Sequence, residues 1–300
     1  MYINYHCDII LTNYIWSGES MNQKILLKLN NLFPKQVHPF NLQNDGTKSY
    51  AQWQYEMGGK TIMFYLDFTT KEDMFLNKVV LDIGCGAGGK TMYYAKCGCE
   101  KIYGIDVLAS YGDEANKLAK SLGLLDKFEF VAGDAADMPF DDEYFDTIIM
   151  NDAMEHVAEP QKVLSECFRV LKKGGRLFVN FPPYHHPFGA HLSDAINIPW
   201  VHLFFSDKVL ISSYKELVKG LPDGQKRIDF RISKDENGNE YFSYINKMTI
   251  KRFSRILKQT PFKIAYYKEV PLRSFLSPLA KLPFVKEMFV KMVVCVFEKE

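Results

Sequence analysis

The stretch Val79-Val-Leu-Asp-Ile-Gly-Cys-Gly-Ala-Gly-Gly-Lys-Thr91 limits what this chain can fold into more than any other. Val79, Val80, Leu81 and Ile83 make a short, nearly continuous apolar run, the pattern of a central parallel strand covered on both faces. Gly84, Gly86, Gly88 and Gly89 follow at once, so the backbone can pass close to a ligand and adopt positive φ. Helical sequence begins at Lys90 and runs to Lys96, which puts a helix N-terminus and its free amides beside the glycines. Strand, glycine loop and helix start in this order form a cradle for a cofactor. The strand–helix alternation that follows implies an α/β fold with right-handed parallel crossovers and helices on both faces.

The glycine spacing admits two ligand classes. Gly84-x-Gly86-x-x-Gly89 satisfies the dinucleotide pattern, and Gly84-x-Gly86-x-Gly88 fits a nucleoside loop equally well. Asp82 separates them: a carboxylate beside this turn repels a pyrophosphate but binds a cationic or amine-bearing ligand through charge-assisted hydrogen bonds. S-adenosylmethionine carries an ammonium, a sulfonium and an adenosine, and no phosphate. Lys101-Ile-Tyr-Gly-Ile-Asp106 is a second strand ending in an acid suited to ribose hydroxyls, which fits a dinucleotide as well. Phe128–Phe140 adds a strand, then Gly133-Asp134 and an apolar Met138-Pro-Phe flank for adenine. Phe145–Val157 is a fourth strand ending in Asn151-Asp152-Ala-Met-Glu155-His156.

In order and spacing these residues resemble the class I S-adenosylmethionine-dependent methyltransferases, in the small-molecule, methyltransferase type 11-like branch with its LDIGCGxG, GD, MPF and EHV pattern. The resemblance is strong over residues 78–182 and weaker beyond. It implies a Rossmann-like, seven-stranded, mostly parallel sheet with an antiparallel C-terminal hairpin, helices on both faces, an N-terminal helical segment and a lid insertion. It further implies a cofactor-covering segment at 1–77, the cofactor-binding core at 78–182, a substrate lid at 183–247 and the end of the core sheet at 248–300. Cofactor contacts are implied at Asp82, Gly84, Cys85, Gly86, Gly88, Asp106, Val107, Asp134, Ala135 and Asn151, with S-adenosylhomocysteine as product. Tyr50, Trp53 and Tyr55 are candidates to cover the cofactor, against ordinary core packing of each ring.

A fifth strand, Arg176–Phe181, follows a helix over Pro160–Leu171 that stops at Lys-Lys-Gly-Gly, basic residues and then glycine being a C-terminal signal. A helix over Thr249–Lys258 and strands over Phe262–Glu269 and Met292–Glu298 complete the count. The long insertion between Phe181 and Thr249 exceeds an ordinary connection and so marks a functional segment. Gln225–Tyr241 reads as a hairpin turning at Asp235-Glu-Asn-Gly-Asn239.

Methyl transfer from a sulfonium requires positioning and water exclusion, with a base needed for some acceptors. The candidate proton acceptors are His156 in the EHV position and His185, His186 and His191, which stand on the insertion just after the fifth strand. Structural histidines in a proline-braced loop, or a divalent metal with Asp194, are the competing readings of the cluster; the spacing is no recognised ligand set, and no metal is assigned. Phe181-Pro-Pro-Tyr…Pro-Phe-Gly-Ala-His191, followed by Pro199-Trp-Val-His202, resembles methyltransferases linked to glycans or glycolipids. The expected activity is therefore methyl transfer, at oxygen, to a small-molecule, glycan or glycolipid acceptor. Nucleic-acid modification, a non-catalytic S-adenosylmethionine-binding protein and a nicotinamide-dependent dehydrogenase are the alternatives.

Composition narrows the setting. Cys7, Cys85, Cys97, Cys99, Cys167 and Cys295 show no disulfide framework, and Cys97-x-Cys99 lacks a second couple for zinc, so a reducing, cytoplasmic compartment is expected. The N-terminus has no basic region followed by an apolar one, so no leader is expected. Net charge is +1, yet residues 248–300 hold 11 Lys and Arg against 4 Glu. That excess can attract phosphate-bearing partners or simply be a solvated face. Leu272–Lys291 mixes large apolar residues with spaced lysines; Pro278 and Pro283 break a continuous helix, and docking onto the chain's own core is preferred to contact with a membrane surface.

Overall fold

A computed structural model describes residues 21–300. The N-terminal stretch read for a leader, and Cys7, lie outside the described residues. The described residues divide into two compact units, one built from residues 39–186 and 245–300 and the other from residues 21–38 together with Pro187–Tyr244.

The first unit is built on a seven-stranded sheet. Its strands are β1 (Val79–Ile83), β2 (Lys101–Asp106), β3 (Phe128–Ala132), β4 (Phe145–Asn151) and β5 (Leu171–Phe181), then β8 (Lys263–Pro271) and β9 (Val290–Glu298). Their spatial order is β3-β2-β1-β4-β5-β9-β8. The first five pair in parallel, and β9 pairs antiparallel with both β5 and β8. The expected mostly parallel sheet with its antiparallel C-terminal hairpin is therefore the observed one.

Strand alternation divides the core into two layers. Leu81, Ile148, Leu177 and Phe297 face one side, where α7 (Pro160–Val170) supplies Leu164 and Cys167 and α11 (Ile250–Leu257) supplies Phe253. Val80, Ile149, Phe178 and Val296 face the other, against Met92 and Tyr94 of α5 (Gly89–Lys96) and Ala115 of α6 (Tyr111–Ser121). Helices α2 (Pro39–Asn44), α3 (Tyr50–Ile62) and α4 (Lys71–Phe75) precede β1, and Ser49 caps α3 by accepting from the Gln52 amide at 3.1 Å.

Two boundaries differ from the sequence reading. Helix α7 ends at Val170, because Leu171 is already extended, and the Lys172–Gly175 stretch read as a helix stop is an irregular part of β5. There the register jumps from Phe145↔Leu171 to Thr147↔Arg176, and the looped residues pair with the Lys299 backbone instead.

In the other unit, residues 21–30 are helical (α1), followed by α8 (Val201–Phe204), α9 (Asp207–Val218), α10 (Gly224–Arg231) and the two-stranded ribbon β6 (Ile232–Lys234) with β7 (Glu240–Phe242). The expected hairpin over Gln225–Tyr241 is thus confined to its second half, and the first half is α10. The turn is where it was read: Asp235 accepts from the amides of Asn237 and Asn239 at 2.9 and 2.8 Å. Asn30 fastens α1 to the loop after Pro187, donating to the Ala195 carbonyl at 2.9 Å and accepting from the Asn197 amide at 2.6 Å.

Helix α3 reaches the glycine loop because small residues let backbones approach. A methyl group at Gly89 would stand 2.1 Å from the Ala51 carbonyl oxygen, and one at Gly58 would stand 2.5 Å from the Tyr93 side chain. Gly89→Ala should therefore push α3 off α5 at a cost of roughly 1–3 kcal/mol, read as a lower denaturant midpoint.

Candidate active site

The carboxyl ends of β1, β2 and β4 carry the chemistry-bearing residues, the edge where open α/β sheets take ligands. Beyond Ile83 the backbone turns through Gly84, Gly86 and Gly88, all at positive φ, and Gly88 stands in the left-handed region as the residue before α5. The N-terminus of α5 consequently opens on the loop.

Asp82 lies at the foot of this loop, 4 % exposed. One of its oxygens accepts from the Thr91 hydroxyl at 2.6 Å. Burial raises its pKa to about 7; the Thr91 hydrogen bond and the Lys90 charge work in the opposite direction, and Asp106 adds to the rise. A carboxyl so placed is poised to ionise when a cation arrives. Asp106, at the end of β2, is oriented by two amides: Gly86 donates to it at 2.9 Å and Leu108 at 3.0 Å. Burial raises its pKa as well, while those amides and the charge of His156 offset part of the rise.

The remaining implied cofactor residues divide by environment. Cys85 and Ala135 are buried, and Val107 is 69 % exposed at the end of β2. Asp134 is exposed and closes its own turn, accepting from the Ala136 amide at 2.9 Å. Asn151 is engaged inside the protein. Its carbonyl oxygen accepts from the Tyr65 hydroxyl at 2.5 Å and from the Asn180 amide at 2.7 Å, while its own amide donates to the Tyr94 hydroxyl at 3.0 Å. The Tyr94 hydroxyl also lies 3.2 Å from that of Thr61, so the network joins β4, β5, α3 and α5.

Several participants escaped the sequence reading. Gln54, buried in α3, accepts from the Gly89 amide at 3.4 Å, and its terminal nitrogen would meet a methyl at Gly86 at 3.0 Å. Lys90 and Asp152 form a partly buried ion pair at 2.6 Å. Burial opposes the ammonium, but Asp152, helped by Tyr94 and Asp82, outweighs it and holds Lys90 above its ordinary pKa. Glu155 is 3 % exposed, and burial pushes its carboxyl well above the usual range. Of the covering aromatics, Tyr50 comes nearest the loop, with a ring carbon 3.4 Å from where a Gly86 methyl would be and its ring 5.9 Å from that of Tyr111. Tyr55 instead packs edge-on to Tyr93.

The histidines are held by different partners. His156 follows the β4 terminus, its amide donating to Ala153 at 2.9 Å and its ring 3.9 Å from Glu155. His185 pairs with Glu287 at 3.3 Å, which raises its pKa against the cost of burial. The His186 amide donates to the Pro183 carbonyl at 2.9 Å. His191 belongs to the other unit, at positive φ, with its carbonyl 3.4 Å from Arg231. Asp194, weighed as a metal ligand, is instead paired with Arg227 at 3.1 Å and Arg231 at 3.2 Å and accepts from Tyr214 at 2.8 Å. His38 belongs to the same unit; burial brings its pKa down to about 4, with the two arginines adding to the fall and Asp194 opposing it.

Residues 81–179 match a protein family described as a methyltransferase domain. The chain is 38% identical over 112 residues to the tocopherol O-methyltransferase of Arabidopsis thaliana, an alignment spanning 37% of this chain and 32% of that protein. It is 35% identical over 101 residues to a ubiquinone/menaquinone biosynthesis C-methyltransferase of Roseobacter denitrificans, spanning 33% and 40%. The matched segment is thus well under half the length of these relatives. Among solved structures, PH0226 protein from Pyrococcus horikoshii OT3 superposes with a TM-score of 0.51 at 21% identity, over 82% of this chain and 91% of that one, a likeness of fold.

Tyr65→Phe removes a donor from the buried Asn151 oxygen while keeping the ring; it should cost about 1–3 kcal/mol of stability, measured by denaturant unfolding.

Proposed function

The core of this chain is a class I S-adenosylmethionine-dependent methyltransferase domain of the type 11 branch, and from it we propose that the chain transfers a methyl group to a small-molecule acceptor, at oxygen. The observation that carries the reading is Asp82, a buried carboxyl with a pKa near 7 at the foot of a glycine loop. It disfavours a pyrophosphate and gains from an ammonium. When bound, the cofactor supplies a methyl group already activated by a sulfonium. The chain's own task is then to hold, align and shield.

Asp82 takes the cofactor's amino group, and Asp106, its carboxylate fixed by Gly86 and Leu108, accepts from the ribose hydroxyls. Gly84, Cys85, Gly86 and Gly88 let backbone pass close to the ligand, while Val107, Asp134 and Ala135 flank the adenine. Asn151 acts one layer further back, where its network with Tyr65, Tyr94 and Asn180 fixes the end of β4. Gln54 and Tyr50 of α3 cover the loop and exclude water.

His156 is the best-placed proton acceptor, because it stands just beyond the β4 terminus, on the sheet edge that carries Asp82 and Asp106. His185 is less suited: Glu287 holds it toward its protonated form, which favours attraction of an anionic group over removal of a proton. The inserted segment 183–247, including His186 and His191, is assigned to selection of the acceptor, a small molecule, glycan or glycolipid.

Calorimetric titration tests the cofactor directly. S-adenosylhomocysteine should bind and NAD should not; the reverse result overturns the proposal. Asp106→Ala should weaken S-adenosylhomocysteine binding by about 1–3 kcal/mol with the fold intact.

The pH dependence has a defined sign. Asp82 binds a proton in the free protein below pH about 7 and must lose it to hold an ammonium. Affinity should therefore rise with pH up to that value and level off above it. Asp82→Asn should abolish the step, and a step that survives the substitution would assign it to another group.

A further inference from the structure

Between β8 and β9 the chain makes an excursion closed at its base by a hydrogen bond from the Leu272 amide to the Phe289 carbonyl, 2.8 Å. Three short 3-10 turns, Ser274–Leu276, Leu279–Lys281 and Lys286–Phe289, replace the continuous helix that Pro278 and Pro283 forbid. The expected docking onto the core holds for part of the segment: Ala280 is buried and Phe289 packs against the hydrophobic core. The rest faces outward. Phe284 is 99 % exposed, Phe275 78 % and Leu282 48 %, with Leu279 beside them at 36 %.

The exposed charges of the excursion, Arg273 and Lys281, have one sign. Arg273 and Lys281 are exposed, and among the described residues no carboxylate lies within ion-pairing distance of either. Lys291, also exposed, stands 5.6 Å over the Phe64 ring. The acids nearby are committed inward. Glu287 accepts from the backbone amides of His185 and Ile250 at 3.2 Å each, and Glu269 pairs with Lys286 at 2.9 Å.

We propose that the excursion Leu272–Phe289 is a docking surface for an anionic lipid bilayer, with Phe275, Leu282 and Phe284 entering the interface and Arg273 and Lys281 meeting the headgroups. Aromatic side chains left in water beside unpaired cations match an interface that is apolar within and negative at its surface. The centre of a protein–protein contact, by comparison, is depleted in lysine. A bilayer also accepts a broken, turn-rich segment that only rests on it; among the described residues no helix is long and apolar enough to cross a membrane. The inference stands apart from the methyl-transfer reading, since no residue in it belongs to the cofactor cradle.

Flotation with phosphatidylglycerol/phosphatidylcholine vesicles tests it on the full chain. The protein should rise with the mixed vesicles, with pure phosphatidylcholine at least about tenfold less effective and added salt releasing it. The double variant Phe275→Ser, Phe284→Ser should lose binding by at least about tenfold, and Arg273→Glu, Lys281→Glu should lose the preference for anionic lipid. Both should keep the melting temperature and S-adenosylhomocysteine affinity of the parent, because these side chains lie in solvent. Failure of the parent to float, or flotation of the phenylalanine variant equal to the parent's, overturns the proposal. So does a concentration-dependent dimer that the phenylalanine variant abolishes while vesicles remain unbound, which would assign the surface to a second copy of this chain.

Discussion

A carboxyl group set into the central strand of the sheet is the constraint around which the larger unit is arranged. Asp82 interrupts β1 between Leu81 and Ile83, both in the core. Burying an ion there without partners would cost several kcal/mol. The protein answers with the Thr91 hydroxyl and the nearby Lys90 ammonium, both on the first turns of α5. The helix that follows the glycine loop therefore supplies an anion-binding end and a cationic side chain at once. Asp152 then neutralises that lysine, in a left-handed conformation that a short polar side chain tolerates. A strand, a helix and the turn after β4 are thus coupled through charge.

The parts legible in sequence were those whose signals are local. Five strands and the helices between them follow from apolar runs, glycines and periodicity, and the order of motifs carried the resemblance that placed Asp82 and Asp106. Irregular backbone was harder. Gly174 and Gly175 look like a helix stop, yet their position is decided by pairing with Lys299, more than 120 residues away in sequence. The hairpin over Gln225–Tyr241 was overextended because Arg227 and Arg231, polar by composition, turn inward on α10 to meet Asp194. A charged residue buried by its partner carries no trace of that burial in its local pattern.

The same limit applied to the site. Gln54 is an ordinary polar residue on an amphipathic helix until α3 is laid against the glycine loop, and that depends on Gly58 lying against Tyr93 and Gly89 against the Ala51 carbonyl, contacts between residues distant in sequence. Three histidines within seven residues look alike in sequence, but their partners differ: His185 is paired with Glu287, while His191 takes a left-handed backbone conformation beside Arg231. His156, which stood alone in the chain, is the one whose charge reaches Asp106.

The place of β9 in the sheet bears on how the protein is made. β9 lies between β5 and β8 and is almost wholly buried; β8 has no other partner in the sheet, and β5 depends on β9 for one of its two edges. During synthesis the parallel half, β1 to β5, emerges first and presents β5 as a bare apolar edge. That edge stays open while more than 100 further residues are translated, until residues 290–298 arrive to fill it. The interval between those two events is when this chain is most exposed to aggregation, and the point at which a chaperone would be of greatest use to it.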